Sequence, residues 1–384
     1  MKINKKILVL LILPLFFSCL EGSNLSENKS YILNLPSMKD HFSGKFDIGN
    51  IMNPGDAGSK ISNSYLTHHF NVLTCENDMK PGYLAPNKGS YSFSTANRMV
   101  DAAIASGMKV VGHTLLWHSQ NASWMNSSVT LADMQEYITK VVTNFKGKIY
   151  SWDVLNEVFP DGVSASANWK TSMRSNNPWF AALGSDFVYQ GFLAARKADP
   201  NAILYYNDYN TDQAGKATMI RNMVKEVNDQ YLASSDKPAG EDPERLLIEG
   251  IGMQEHHNTG VTANAIKNTL TMFKNMTFVG SSRKIIVSVS ELDVLVVSYQ
   301  TFSPYGHGTN KNGQMEVTDD MLENQARLYG EYMKVYLEFS DIIERVSLWG
   351  VTDDKSWRSA ALPLLFDPSG LAKPAYHSFV GALP

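Results

Sequence analysis

Two glutamates stand where a carboxylate pair could share proton transfer and nucleophilic attack. Glu157 closes the run Trp152-Asp153-Val154-Leu155-Asn156, and Glu291 follows the β-branched run Ile285-Ile286-Val287-Ser288-Val289, with Asp293 two residues further on. Burial beside an apolar wall and a second carboxylate nearby both raise a carboxyl pKa, which suits a proton donor, the part this reading gives to Glu157. A helix-capping or salt-bridged glutamate is the alternative. Asp293 shares the side of the strand with Glu291 and could orient a histidine such as His256, which would hydrogen-bond Glu291 and keep it ionised, as a nucleophile requires. Two acids capping the following helix are the alternative there.

The remaining candidates are amides, histidines and tryptophans. Indole faces stack on pyranose rings, Asn, Gln, Lys and His hydrogen-bond hydroxyls, and a carboxylate pair can cleave the bond between two sugars. The inventory fits a polysaccharide. A carboxyl separation of ~5 to 5.5 Å implies retention of configuration and ~6.5 to 9.5 Å implies inversion, and spacing along a chain leaves that open. Other chemistries lack their parts. There is no HExxH or CxxC, and the neighbours His68-His69 and His256-His257 point to opposite sides, so no metal is expected. No GxSxG elbow is present, and Gly250-Ile-Gly252 alone is too little for a phosphate loop, so no cofactor is expected.

The elements that must position these residues alternate. Short Val-, Ile- and Tyr-rich runs are each followed by a polar cluster and then a helical pattern, which predicts a parallel sheet with crossover helices. Strands are predicted over residues 46–52, 71–77, 109–117, 151–157, 203–208, 247–256, 285–293 and 345–350, with helices such as 95–106, 131–145 and 320–339 between them. Eight strands in one domain predict an α/β fold of the single (β/α)8 TIM-barrel type. Nearly every strand ends in residues an ordinary core would exclude: Glu76-Asn77, His113 with Trp117-His118, Asn156-Glu157, Asn207-Asp208, Gln254 with His256, Glu291 with Asp293, and Trp349. In such a barrel these ends converge on the face where active sites are built.

The chain of 384 residues is 43% hydrophobic and 19% charged, enough to bury one large core, and its net charge of −4 offers no phosphate-neutralising surface. Nucleic acid is not an expected partner. Lys2, Lys5 and Lys6 precede an apolar run from Ile7 to Phe17 and then Ser18-Cys19, the pattern of a signal peptide over residues 1–18 and too short to span a bilayer. Ser18-Cys19 resembles a loose bacterial lipobox, with Phe16 where leucine is expected, so Cys19 is the expected lipidation site and ordinary signal-peptidase cleavage the alternative. Residues 19–30 then read as a flexible tether, and residues 31–384 as one domain. Export is therefore expected, either as a membrane-anchored lipoprotein of the outer membrane or cell surface, or as a secreted protein. Cys75, the other thiol, reads as a small buried filler.

From about Tyr31 to Leu383 the chain resembles the xylanases of glycoside hydrolase family 10. FNVLTCENDMK (70–80), GHTLLWHSQ (112–120), WDVLNEVF (152–159), YYNDYN (205–210), GIGMQEHH (250–257), VSELDV (289–294) and WGVTDDKSW (349–357) follow the family's order. The resemblance implies a retaining endo-1,4-β-xylanase with Glu157 as acid/base, Glu291 as nucleophile and Asn156 as donor to the sugar 2-hydroxyl. It also implies His256 and Asp293 as a relay behind the nucleophile and Gln254 between the two carboxylates. Glu76, Asn77, Lys80, His113, Trp117 and Gln120 match the glycone-side wall, with Trp349 and Trp357 as its aromatic lid and Asp153 in support. Asn207 and Tyr209 match positions near the aglycone side.

The implied partners are xylan and xylooligosaccharides, a membrane only through an N-terminal lipid, and a monomeric state. Segment 298–316, rich in Gly, Tyr and Asn, either adds substrate contacts or is a tolerated surface loop. Lys170 and Arg174 read as solvated helix charges. Two rivals remain: a β-1,4-glucanase on the same scaffold, separable by assays on xylan and cellulose, and a surface lipoprotein that binds glycans without cutting them.

Overall fold

The computed structural model describes residues 30–307 and 312–383. The expected signal peptide, Cys19 and nearly all of the tether lie outside the described residues. The strands are β1 (Asp47–Met52), β2 (Val72–Cys75), β3 (Lys109–Leu116), β4 (Ser151–Asn156), β5 (Ile203–Asp208), β6 (Gly250–Met253), β7 (His256–His257), β8 (Ile286–Val294) and β9 (Ile343–Leu348). They run in the order β6-β5-β4-β3-β2-β1-β9-β8-β7, and β6 also pairs with β8. That last pairing closes eight parallel strands into a barrel, as predicted, while the two-residue β7 pairs only with β8.

Helices fill the crossovers, among them Ser94–Ala105, Leu131–Asn144, Asp186–Ala198, Ala214–Ala233, Ala263–Lys274 and Asp319–Glu338. Their starts follow ordinary capping. The Thr130 hydroxyl accepts from the Asp133 amide while the Asp133 carboxylate accepts from the Thr130 amide, satisfying two donors that a helix start leaves unpaired. Met134, Tyr137, Ile138, Val141 and Val142 then recur at helical spacing and are buried. Most large apolar side chains belong to this one core; Cys75 is among them and fully buried, as expected of a filler. Among the described residues no helix is long and apolar enough to cross a membrane.

One predicted strand does not run unbroken. Residues 247–256 were expected to be continuous, but β6 stops at Met253 and pairing resumes at His256, opposite Asp293, because Glu255 between them adopts φ +60°. The last strand is also displaced, starting at Ile343 and ending at Leu348 rather than spanning 345–350.

Two glycines are dictated by close approach. A Cβ at Gly112 would lie 2.2 Å from the Trp152 ring, and one at Gly252 would lie 2.2 Å from the Asn207 side-chain oxygen. Gly252, set aside above as part of a phosphate loop, makes room for Asn207 in the next strand. Trp152 is fully buried and has nowhere to move. Gly112→Ala is therefore expected to destabilise the barrel by ~1–3 kcal/mol, the usual cost of overpacking; an unchanged thermal midpoint would contradict this packing.

Candidate active site

The parallel ladder carries the two glutamates into one arc. At the strand ends Glu157 N donates to Asn207 O (2.9 Å), Gln254 N to Asp208 O (2.9 Å) and Glu291 N to Gln254 O (3.1 Å). Both glutamates open into a single cleft of about 1030 Å3, lined also by Glu76, Asn77, Lys80, His113, Trp117, Gln120, Asn156, Tyr209, Gln254, His256, Trp349 and Trp357. Of the residues expected to meet substrate, all but Asn207 line it.

Around Glu291 the expected relay is present. His256 Nε2 lies 3.1 Å from Glu291 Oε2 and His256 Nδ1 lies 3.0 Å from Asp293 Oδ2. Asp293 also accepts from Trp357 Nε1 (3.0 Å) and Arg358 Nη1 (2.5 Å). Burial alone would discharge His256, but Asp293 and Glu291 outweigh it and push the imidazole up to about 9. Burial likewise pushes both carboxyls up and is overcome. Arg358 and His256 take Asp293 down to about 2. The His256 hydrogen bond, nearby imidazole charge and the Asn207 amide hold Glu291 below the ordinary carboxylate value.

Amides connect this side to Glu157. Asn207 Nδ2 donates to Glu291 Oε1 (2.8 Å) and to Asn156 Oδ1 (3.0 Å), and Asn156 Nδ2 donates to Glu157 Oε1 (3.1 Å). Gln254 Nε2 donates to Glu157 Oε1 (2.9 Å) and Asn156 Oδ1 (3.2 Å). One expectation is corrected here. Asn207 does not line the cleft on the aglycone side: it is fully buried behind the glutamates, where its amide bridges Asn156 and Glu291. Gln254 stands between the two glutamates, its side chain donating to Glu157 and its carbonyl accepting from the Glu291 amide.

On the flanks, Lys80 Nζ donates to Asn77 Oδ1 (3.0 Å) and sits over the Trp117 ring. Glu76 accepts from Asn53 Nδ2 (2.7 Å). Asp153 lies below the cleft and holds His113, whose Nδ1 is 2.9 Å from Asp153 Oδ2. Trp349 and Trp357 stand edge-on to His256, with ring centroids 6.3 and 5.0 Å away. Tyr209 OH accepts from Arg174 Nη2 (2.5 Å) and donates to Asp161 (3.1 Å), with Lys216 Nζ 3.8 Å above its ring.

Several residues of the site were not anticipated. Arg174, expected to be a solvated helix charge, donates to the Glu157 carbonyl (2.9 Å) as well as to Tyr209. Its Arg identity carried no pattern; only the approach of the 3-10 turn Trp169–Thr171 and its following loop to β4 brings it there. Arg358, one residue beyond the last motif, carried no mark in the sequence and is buried against Asp293. His118 Nδ1 lies 3.8 Å from Glu157 Oε2, and burial and the neighbouring Arg174 charge push its imidazole down to about 4, so it is neutral. The segment from 298 is part of the cleft: His307 stacks on Trp357 at 5.0 Å and Tyr299 stacks on His307 at 6.2 Å. Phe302, Met315 and their neighbours give that segment a small core of its own.

Backbone strain concentrates at the same face. Among the described residues five non-glycine residues have positive φ, and Gln120, Glu157, Asn210 and Glu255 all follow barrel strands at the mouth. Each such residue costs ~1–3 kcal/mol, and that strain gathers where side chains must be aimed.

A closed (β/α)8 barrel with a carboxylate pair at its C-terminal mouth is the framework of a glycoside hydrolase. Residues 37–382 match glycosyl hydrolase family 10, and the chain belongs to that family of retaining enzymes. It is 32% identical to an endo-1,4-beta-xylanase of Geobacillus stearothermophilus, over 89% of this chain and 97% of that one, and 31% identical to a beta-1,4-xylanase of Dictyoglomus thermophilum, over 97% of each. An exoglucanase of Acetivibrio thermocellus is 32% identical over 93% of this chain and 30% of its own. A termite-gut family 10 xylanase containing a bacterial Ig-like domain superposes with a TM-score of 0.83 at 50% identity, covering 92% of this chain and 78% of that one.

The raised His256 couples the site to stability. An imidazole that binds its proton more tightly when folded stabilises the fold fully below its ordinary value of 6.5, and the contribution is lost as pH rises through about 9. Asp293 acts oppositely, its contribution present above 3.8 and lost as pH falls towards about 2. The thermal midpoint should therefore fall between pH 6.5 and 9, and His256→Gln should flatten that limb; an identical limb in both proteins would contradict it.

Proposed function

We propose that this glycoside hydrolase is an endo-1,4-β-xylanase in which Glu157 is the acid/base and Glu291 the nucleophile. The observation that carries the assignment is the unequal treatment of two carboxylates in one cleft: Glu291 is held ionised by hydrogen bonds from a charged His256 and from Asn207, whereas the Glu157 carboxyl accepts from the neutral amides of Asn156 and Gln254, with a neutral imidazole nearby. In the first step Glu157 gives its proton to the glycosidic oxygen while a Glu291 carboxylate oxygen attacks the anomeric carbon. The bond to the leaving sugar breaks and a glycosyl ester forms. Water then attacks the same carbon, Glu157 takes a proton from it, and the Glu291 carboxylate leaves. Asn156, whose amide already lies beside Glu157, is placed to hydrogen-bond the sugar 2-hydroxyl as positive charge develops.

Xylan as substrate is supported by the names of the relatives and by the lid. Trp349 and Trp357 line the cleft, and as the family's aromatic lid over the inner sugars they would disfavour a hydroxymethyl group, so that xylose is preferred to glucose. A cleft at the upper end of the ~300–1,000 Å3 range for small-ligand sites has room for several sugar rings, which suits cutting within a chain. The N-terminal pattern supports export with Cys19 lipidated and residues 19–30 serving as tether to a domain over residues 31–384 that acts at a membrane or cell surface.

Glu291→Ala is expected to lower turnover of xylan at least ~10³-fold while xylooligosaccharide binding survives, and the unmodified protein should release reducing ends from xylan ~10- to 200-fold faster than from cellulose. Unchanged turnover in Glu291→Ala would remove the nucleophile assignment; a preference for cellulose would move the enzyme to the glucanases. For the anchor, Cys19→Ser should abolish metabolic incorporation of a fatty-acid probe and release the protein from the membrane fraction. Labelling that persists would refute lipidation at Cys19.

A further inference from the structure

Glu255 lies between the two residues that attend the glutamates. Gln254 on one side donates to Glu157, and His256 on the other reaches Glu291. Glu255 itself does not line the cleft; its carboxylate is turned inward and is 1% exposed. It accepts from three separate elements: His257 Nε2 in β7 (2.8 Å), Tyr336 OH in the helix Asp319–Glu338 (2.7 Å) and Thr211 Oγ1 in the turn after β5 (3.1 Å). Those donors are themselves fastened, His257 by the Tyr332 ring at 5.0 Å and Thr211 by Thr269, whose hydroxyl donates to the Thr211 carbonyl (2.8 Å).

The backbone at Glu255 needs such an anchor. At φ +60° it occupies the left-handed region, which a side-chain-bearing residue enters only when its surroundings hold it there. A buried carboxylate is an expensive way to fill that position, since its charge must be met by donors. Burial pushes the Glu255 carboxyl up, but His257, Tyr336 and Thr211 together hold it below its ordinary value. Glycine or asparagine would take the same turn at lower cost in charge. What glycine cannot do is tie the turn to the helix Asp319–Glu338 and to the end of β5.

We propose that Glu255 is a positioning residue that aligns the partners of both catalytic carboxylates at once, by locking the left-handed turn that aims Gln254 at Glu157 and His256 at Glu291. Neither substrate nor the reacting atoms touch it. The inference rests on the assignment of Glu157 and Glu291 made above.

The test uses the full chain and aryl β-xylobiosides with a good leaving group, dinitrophenol, and a poor one, phenol. Glu255→Ala leaves three donors without a partner and the turn without an anchor. Its kcat on the phenyl substrate should fall on the order of 100-fold, the effect of moving a reacting group by about 1 Å, with KM little changed. The fall should be smaller with dinitrophenyl, which needs no protonation by Glu157. Glu255→Gly, relieved of strain but unanchored, should lose kcat in the same way. Glu255→Gln can keep all three contacts, its oxygen accepting from His257 and Tyr336 and its amide donating to Thr211, and should retain most of the wild-type kcat.

Tyr336→Phe removes one donor and is the variant to use where Glu255→Ala does not fold; it should cost about 10-fold in kcat on the phenyl substrate. A folded Glu255→Ala with wild-type kcat, a Glu255→Gln as impaired as the alanine variant, or equal losses with both leaving groups overturns the proposal. If Glu157→Ala and Glu291→Ala also keep turnover, the assignment beneath it fails; if they lose turnover while Glu255→Ala keeps it, only the role of Glu255 fails.

Discussion

The site depends on keeping two carboxylates charged inside a protein. Glu291 and Asp293 sit two residues apart on β8, almost wholly buried, where an ion loses several kcal/mol of hydration that only close opposite charge and hydrogen bonds recover. Two negative charges are met by two positive ones, the protonated His256 between them and Arg358 on the far side of Asp293. Asp293 and Glu291 together keep His256 charged against burial, and His256 together with Asn207 holds Glu291 below the ordinary carboxylate value. Trp357 is drawn into the same arrangement, because the carboxylate that charges His256 also accepts from the indole nitrogen and so fixes that ring in the cleft lining.

The groups that meet the Glu291 and Asp293 side chains come from different strands and loops, so the barrel is what converts sequence distance into contact. His256 arrives from β7, Asn207 from β5, and Trp357 and Arg358 from the segment after β9. The parallel ladder sets the height of each: the amides of Glu157, Gln254 and Glu291 all donate to strand-end carbonyls of their neighbours. Where the regular ladder would aim a side chain wrongly, the backbone departs from it, and the left-handed residues Gln120, Glu157 and Glu255 mark those places. The strain is tolerated because the packed core and the hydrogen-bonded loops around these residues hold the backbone in place.

Much of this was legible before any coordinates. The polar residues closing otherwise apolar strands pointed to one end of a barrel, and the i, i+2 spacing of Glu291 and Asp293 with an available imidazole allowed the relay that the family resemblance then implied. Asn207 was read as a wall residue because a strand-end amide carries no mark of whether it faces solvent or another strand. Gly252 removes the side chain that would block it, a signal visible in the sequence but interpretable only against the neighbouring strand. Arg174 was taken for a surface charge since nothing in its own neighbours announces Glu157 or Tyr209. Glu255 escaped notice for a similar reason: alternation predicts only that it points away from Gln254 and His256.

By itself the sequence determined the class of fold and brought forward the two glutamates as candidates, because strand periodicity and residue type are carried locally, while their roles came from the order of motifs that resemble the family. Tertiary structure alone decided which amide bridges the acids, which histidine is charged and which neutral, and where the backbone leaves the strand. Those outcomes turn on distances of about 3 Å between residues as far as 98 positions apart, and on how completely water is excluded around them, quantities that no stretch of chain carries within itself.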